Sequence, residues 1–295
     1  MKNSIHYSKP RVIAEIGCNH KGDMQIAKEL IFLAKEAGAT IAKFQKRHNK
    51  ELLSEEQYNA PHPNPKNSYG KTYGEHREFL EFSKEQHKEL QKYANSIGII
   101  YSTSVWDTTS AKEIIELSPP LIKVPSGCNT NLKLLEILRD EFQGEIHISL
   151  GMSTAQEIDA IIDLFKSKNK TKSLVLYACT SGYPIAPNEA CLLEIVKIKE
   201  KYQDLINCVA YSGHHLGINL DMAAYTLGAK YIERHFTKDK TWKGTDHSAS
   251  LEPHELSNLV NGLKEVYEAL KFKDKDILEI EVAQRNKLKF GCYQK

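Results

Sequence analysis

No stretch of the sequence reaches the roughly 18 consecutive apolar residues that a membrane-crossing helix needs, and the opening "MKNSIHYSKP" holds no apolar core of signal-peptide length. The six cysteines (Cys18, Cys128, Cys179, Cys191, Cys208 and Cys292) form no C-x-x-C pair and no zinc-ribbon spacing. Thiols scattered in this way through a long chain read as reduced, which places the protein in the cytoplasm. Charge of one sign is missing too: 40 Lys and Arg stand against 38 Asp and Glu, a formal net charge of +2. That balance excludes an electrostatic footprint for nucleic acid and leaves room only for a local basic pocket that takes an anion. Short repeats and low-complexity linkers are absent, so residues 1–295 read as one domain. A chain of 295 residues, 41% of them hydrophobic, buries enough core to need neither disulfide nor structural metal.

What is present is an alternation. The β-rich runs "RVIAEIG", "TIAKFQ", "GIIYSTS", "LIKVPS", "EIHISLG", "SLVLYA", "NCVAYS" and "AKYIER" are each followed by helical spacing. In "MQIAKELIFLAKEAG" the residues Ile26, Leu30, Leu33 and Ala37 share a face and Gly38 ends the helix. In "TAQEIDAIIDLFKS" the inward set is Ile158, Ile161, Ile162 and Phe165, with Ser153 or Thr154 as the cap. Parallel neighbours need crossover helices, and eight strand–helix units close a (β/α)8 TIM barrel, an α/β fold. An open doubly wound sheet is the alternative. Residues 46–79 interrupt the pattern with "NAPHPNPKNSYGKTYGEH", far longer than an ordinary βα loop. Its Pro, Asn and Gly predict irregular backbone, and its place after the second strand predicts a lid over the barrel's C-terminal face.

In such a barrel, chemistry gathers where the strands end, and the polar residues of this sequence fall there. Glu15 lies near the end of the first strand, with Asn19 and His20 just after it; Lys43 and Gln45 end the second; Lys123 and Ser126 end the fourth, and Ser149 the fifth. Two strand lysines with Ser126, Ser149 and Ser212 would form a pocket for phosphate and carboxylate; salt bridging or snorkelling to the surface is the plainer alternative. His214 and His235 close adjacent strands, whose ends lie about 5 Å apart, so two imidazoles come within reach of one metal ion; a hydrogen-bonded structural pair competes with that reading. His20, His215 and His247 are further candidates; partial exposure in a loop is the plainer alternative for His215 and His247, and the favoured one for His215. Glu15 needs a partner or a task inside a strand: a salt bridge to a strand lysine, or catalysis. Asp246 lies in the loop after the last strand, as a site residue or in an Asx-turn. Cys18 and Cys179, with no Cys-His-Asn pattern around them, read as packing residues rather than nucleophiles.

The runs "AEIGCNHKGD", "AKFQ", "IKVPSG", "ISLGMS", "CTSGYP", "GHHLGI", "GAKYIERHFT" and "GTDHSASLEP" occur in this order between about Val12 and Leu270. In them the chain resembles the sialic acid synthase family, which condenses phosphoenolpyruvate with an open-chain acylamino sugar. The resemblance implies Mn²⁺ or Mg²⁺ on His214 and His235, with Glu233 supporting the metal side. It implies that Lys43, Lys123, Ser126, Ser149 and Ser212 hold phosphoenolpyruvate. Glu15, Gln45, Tyr183 and Asp246 would face the sugar aldehyde and the reacting atoms, with Glu15 handling protons or a cationic intermediate. A homodimer is implied as well. The sequence departs from the family's pattern at Leu150, at Gly182 in place of Asn, at Gly213 in place of an acid and at Arg234 in place of Lys. The family's C-terminal antifreeze-like domain, which contributes an arginine toward the acyl group, is expected to be absent after the barrel; a separate subunit could supply it. Retained condensation to a nonulosonic-type 2-keto acid, with a changed or relaxed sugar partner, is therefore expected. Two rivals stand beside it: a metal-dependent hydrolase, disfavoured by the lack of H-x-H on the first strand, and a barrel that binds sugar or a synthase partner without turnover.

Overall fold

The computed structural model describes residues 7–289. Eight strands, β1 (Arg11–Gly17), β2 (Ile41–Lys46), β3 (Ile100–Val105), β4 (Leu121–Val124), β5 (Glu145–Ser149), β6 (Leu174–Cys179), β7 (Cys208–Gly213) and β8 (Tyr231–His235), close into one barrel in sequence order. Every neighbouring pair is parallel, including β1 against β8. The eight predicted strands are all present, and the open-sheet alternative is excluded by that last pairing. The helices are α1 (Met24–Glu36), then α2 (Asn49–Leu52), α3 (Glu55–Asn59) and α4 (Tyr73–Leu80) within the insertion, then α5 (Lys84–Ile97) and α6 (Thr108–Leu117). They continue with α7 (Leu132–Glu141), α8 (Ala155–Lys166), α9 (Leu193–Tyr202), α10 (Asn219–Thr226), α11 (Pro253–Ala269) and α12 (Glu279–Leu288).

Local chemistry starts these helices. The Asp23 carboxylate accepts from the amides of Gln25 at 2.7 Å and Ile26 at 3.1 Å, capping α1. Thr154, of the two caps expected for α8, is the one used, in a capping box with Glu157. The buried stripe of α1 is Ala27, Leu30, Ile31 and Ala34; Ile26 and Leu33, expected inside, are only half-buried because they lie at the edge of the apolar arc rather than at its centre. The core has two compartments. Strand residues such as Ala14, Phe44, Ile122 and Ile148 pack outward against the helices, while Ile13, Ile41, Leu121, Val175, Tyr177, Ala210 and Tyr231 fill the lower barrel interior.

The insertion is more regular than its composition suggests. Three short helices and a turn at Pro65–Asn67 occupy it. Two start in capping boxes, Ser54 with Gln57 and Thr72 with Glu75. The Tyr69 hydroxyl donates to the Lys243 carbonyl in the loop after β8.

Candidate active site

Side chains alternate between the two sides of a strand, and on β8 this alternation sorts the charged residues. Tyr231, Glu233 and His235 face into the barrel, whereas Arg234 turns outward and bonds to Asp221 on α10 and to the carbonyls of His215 and Gly217. The same alternation on the other strands points Glu15, Lys43, Gln45, Lys123, Ser149 and Ser212 inward, the segments after the strands add Ser126, Tyr183, His214 and Asp246, and together with Glu233 and His235 these residues line one cavity of about 410 Å³. Every expected site residue lines it. None is turned into the helical layer.

The floor is a knot of charge. Lys43 ion-pairs with Glu15, lies 3.7 Å from Glu233, and donates to the Ser104 hydroxyl at 2.8 Å. Lys123 bonds to the other oxygen of Glu233, which also accepts from Ser212 at 3.0 Å. Burial alone would raise the Glu233 carboxyl, but Lys123 and Lys43 outweigh it and hold the group ionised, well below the usual carboxylate range. Gln45 donates to Glu15 at 2.9 Å. The salt bridge expected for Glu15 is thus present, and it sits inside the cavity.

Above the floor, the His214 and His235 rings are 5.7 Å apart, with the Tyr183 ring 4.2 Å from His214. His214 Nδ1 lies 2.8 Å from the Thr180 carbonyl, which can only accept, so Nδ1 carries the hydrogen and Nε2 keeps a free lone pair. Burial, helped by His235, pushes the His214 pKa down to about 3, leaving the neutral, ligating form. His235 Nδ1 is buried with no hydrogen-bond partner. Two rings side by side, each with an uncommitted nitrogen, fit a divalent cation. Among the described residues the one trio of close ligand groups is Glu252, His254 and Glu255, at the start of α11; an ion on His214 and His235 would therefore complete its shell from water and substrate.

Asp246 forms the rim. Burial works against its charge, yet His235, the Thr245 hydroxyl and Arg77 hold its carboxyl below the ordinary value. Cys179 also lines the cavity, and burial raises its thiol as it does that of Cys18, as expected of packing residues.

Other expectations need correction. His215 is not partly exposed: it is buried, and so is His247. His215 lies against Asp221 and Arg234, and His247 bonds to the Thr237 hydroxyl at 2.7 Å. His20 is stacked on Phe82 at 4.1 Å, outside the cavity. Asn19 ties the first loop to the last through the Phe236 carbonyl and the Ser250 hydroxyl. The departures at Gly182 and Gly213 do not open the sugar side. A Cβ on Gly182 would meet Ile185, and one on Gly213 would meet Tyr211 and His215, none of which lines the cavity. Leu150 is buried in the outer core.

Cavity residues not foreseen are Arg47, Arg77, Ser104, Trp106, Ser181 and Thr245. Ser104 had a signal, since it is in register with Lys123 and two residues beyond Ser102 on β3. Arg77 had none, because its approach depends on the path of the insertion.

Known proteins are similar to this chain. The chain is 42% identical over 277 residues to the N-acetylneuraminate-9-phosphate synthase of Mus musculus, which spans 94% of this chain and 76% of that protein. It is 36% identical over 257 residues to the N,N'-diacetyllegionaminic acid synthase of Legionella pneumophila, spanning 86% of this chain and 71% of that one. The crystal structure of N-acetylneuraminic acid (sialic acid) synthetase from Leptospira borgpetersenii, in complex with citrate, matches with a TM-score of 0.79 at 28% identity, covering 96% of this chain and 93% of the other. With the NeuB family model matching residues 30–275 on a barrel whose strand ends carry these residues, the chain belongs to the NeuB family.

Proposed function

We propose that this cavity condenses phosphoenolpyruvate with an open-chain acylamino sugar aldehyde, giving a nonulosonic-type 2-keto acid and phosphate. One observation carries the reading: the Lys43–Lys123–Glu233 cluster and the His214–His235 pair share a single cavity. The names of the relatives, all synthases of such nine-carbon acids, support it.

Lys43 and Lys123, with Ser126, Ser149 and Ser212, would bind the phosphate and carboxylate of phosphoenolpyruvate. Incoming anions exchange partners with Glu15 and Glu233, so the lysines never stand uncompensated in a dry site. Tyr183, Gln45 and Asp246 would hold the sugar with its C1 aldehyde beside the two histidines. A Mn²⁺ or Mg²⁺ ion on His214 and His235, oriented by nearby Glu233, would act as a Lewis acid toward the aldehyde oxygen. The C3 carbon of phosphoenolpyruvate then bonds to C1, whose oxygen gains a proton and becomes a hydroxyl. Water adds at C2, the C2–O bond breaks, and phosphate departs with the bridging oxygen. Glu15 would face the cation that develops at C2 and take the proton of the attacking water. The five described cysteines are free thiols and no described helix is long and apolar enough to cross a membrane, in keeping with work in the cytoplasm on a soluble metabolite. The reading without turnover loses its main support, because Gly182 and Gly213 leave the cavity wall intact.

The test is phosphate release from the purified protein with phosphoenolpyruvate and a panel of acylamino sugars, with Mn²⁺ or Mg²⁺ and after chelation. Release that needs both substrates and stops on chelation is expected. Folded protein that releases none with any sugar would overturn the proposal.

A further inference from the structure

The cavity floor has an underside that the chemistry above leaves unused. Besides Glu233, the Lys123 ammonium meets the face of the Tyr177 ring, with Nζ 4.3 Å from the ring centroid. Tyr177, on β6, is fully enclosed and does not line the cavity. Burial pulls the Lys123 pKa below its ordinary value in spite of Glu233, and Lys43 adds to that pull. The charge on this lysine therefore depends on whatever compensates it.

Tyr177 is held in turn from the N-terminal end of the barrel. Its hydroxyl lies 2.7 Å from His147 Nδ1, and His147 Nε2 lies 3.1 Å from the Glu145 carboxylate, both residues being on β5. Glu145 also accepts from the Tyr231 hydroxyl at 2.5 Å and from Asn207 at 3.0 Å, while Arg11 donates to Tyr231 at 2.6 Å. The His147 bond, joined by those from Tyr231 and Asn207, outweighs burial and pulls the Glu145 carboxyl down to about 2. Burial pushes the His147 pKa down, so that ring is neutral at pH 7. These states fix every direction: an ionised carboxylate only accepts, so Nε2 carries the imidazole hydrogen, Nδ1 accepts, and the Tyr177 hydroxyl donates. A phenol that donates in this way keeps more electron density on its ring, as bonds in a chain polarise one another.

We infer that Tyr177 is a positioning residue for Lys123: its ring, set by His147 and Glu145, holds the ammonium at the floor while an incoming anion exchanges with Glu233. A lysine over an aromatic face is attracted to the ring quadrupole, and more strongly where water is excluded. Glu233 is a partner that substrate displaces, whereas the ring lies outside the cavity and stays in place whichever anion the lysine holds. The polar chain from Arg11 to Tyr177 crosses strands β1, β5, β6 and β8, so the tilt of the ring is tied to the frame of the barrel. This assignment rests on the reading that the floor takes phosphoenolpyruvate.

The experiment is calorimetric titration of phosphoenolpyruvate, without sugar, into the full chain and its position-177 variants. These are Tyr177→Phe, Tyr177→Leu and replacements by phenylalanine carrying one, two or three ring fluorines, which drain negative charge from the ring face with little change of shape. Tyr177→Phe is expected to bind within about threefold of wild type and Tyr177→Leu at least tenfold more weakly. Along the fluorinated series affinity is expected to fall in order, by about fivefold or more from Phe to the trifluorinated ring. In turnover the loss should fall on the KM for phosphoenolpyruvate rather than on that of the sugar. A flat fluorinated series, or equal binding by Tyr177→Phe and Tyr177→Leu, overturns the inference, since a residue that only fills the core would not respond to ring charge. Should Tyr177→Leu fail to fold, the fluorinated series decides alone, its ring volume being nearly constant. A series that falls in order, with no phosphate release from any sugar, sinks the condensation reading and leaves Tyr177 in its role; wild type that binds no phosphoenolpyruvate overturns both.

Discussion

Gly213 shows how a single residue can look functional and be structural. It pairs with Arg234 in the β7–β8 ladder, and a Cβ added there would come within 2.8 Å of Tyr211 Cε1 and 3.0 Å of His215 Cε1. Both neighbours are buried, and His215 is held by the Arg234–Asp221 pair behind it, so little can give. Gly213→Ala is expected to cost about 1–3 kcal/mol of stability, the usual penalty of overpacking, measured by denaturant unfolding, with little change in acceptor preference. A stable variant with altered sugar choice would show that this position faces the substrate after all. The sequence alone marked the place but not the direction. For Glu15, Lys43, Lys123, Glu233 and His235 the direction was legible, because a charged residue at the C-terminal end of a barrel strand has few other uses. It was not legible for Arg234, one residue from two of them and pointing the opposite way, nor for Arg47 and Arg77, whose positions are set by tertiary contacts that no local pattern encodes.

Among the elements, the insertion held the largest surprise. Its Pro-rich centre hid two capping boxes, S-x-x-Q at Ser54 and T-x-x-E at Thr72, that start α3 and α4. Those signals were present in the sequence, masked by the turn-forming composition around them. The two helices meet where Gly74 lies against Tyr58, so closely that a Cβ on Gly74 would fall 2.3 Å from the Tyr58 ring. Only glycine permits that approach. Gly74→Val should therefore separate α3 from α4, loosen the segment that carries Arg77, and leave the barrel folded. The expected outcome is faster proteolytic nicking within residues 46–80 and at least a tenfold loss of kcat/KM, with the main unfolding transition shifted by no more than a few degrees. Unchanged nicking together with full activity would mean that the insertion's packing is irrelevant to the site.

At the scale of the molecule, the barrel itself was the most legible feature, since eight strand–helix units in order admit few closed solutions and β1 pairing with β8 is the simplest. Less legible was how much histidine the fold buries. His20 and His87 are both enclosed, and burial pushes each pKa down to about 3. His20 accepts from the Gly22 amide at 3.1 Å and His87 sits 2.6 Å from the Tyr101 hydroxyl, contacts that suit a neutral ring. In the unfolded chain each would titrate near 6.5. Between about 6.5 and 3 the unfolded state therefore binds more protons than the folded one, so stability is whole above that interval and declines as pH falls through it. Each such histidine adds a slope of about 1.4 kcal/mol per pH unit once the unfolded form is protonated, while ordinary carboxylates act only below about 4. The denaturant midpoint should thus drop steeply from pH 7 to pH 5, and His87→Phe, which removes one of these protons, should flatten that decline relative to wild type whatever its own cost in stability. A midpoint constant over this range, or a slope that His87→Phe leaves intact, would mean that these rings accept protons inside the folded barrel.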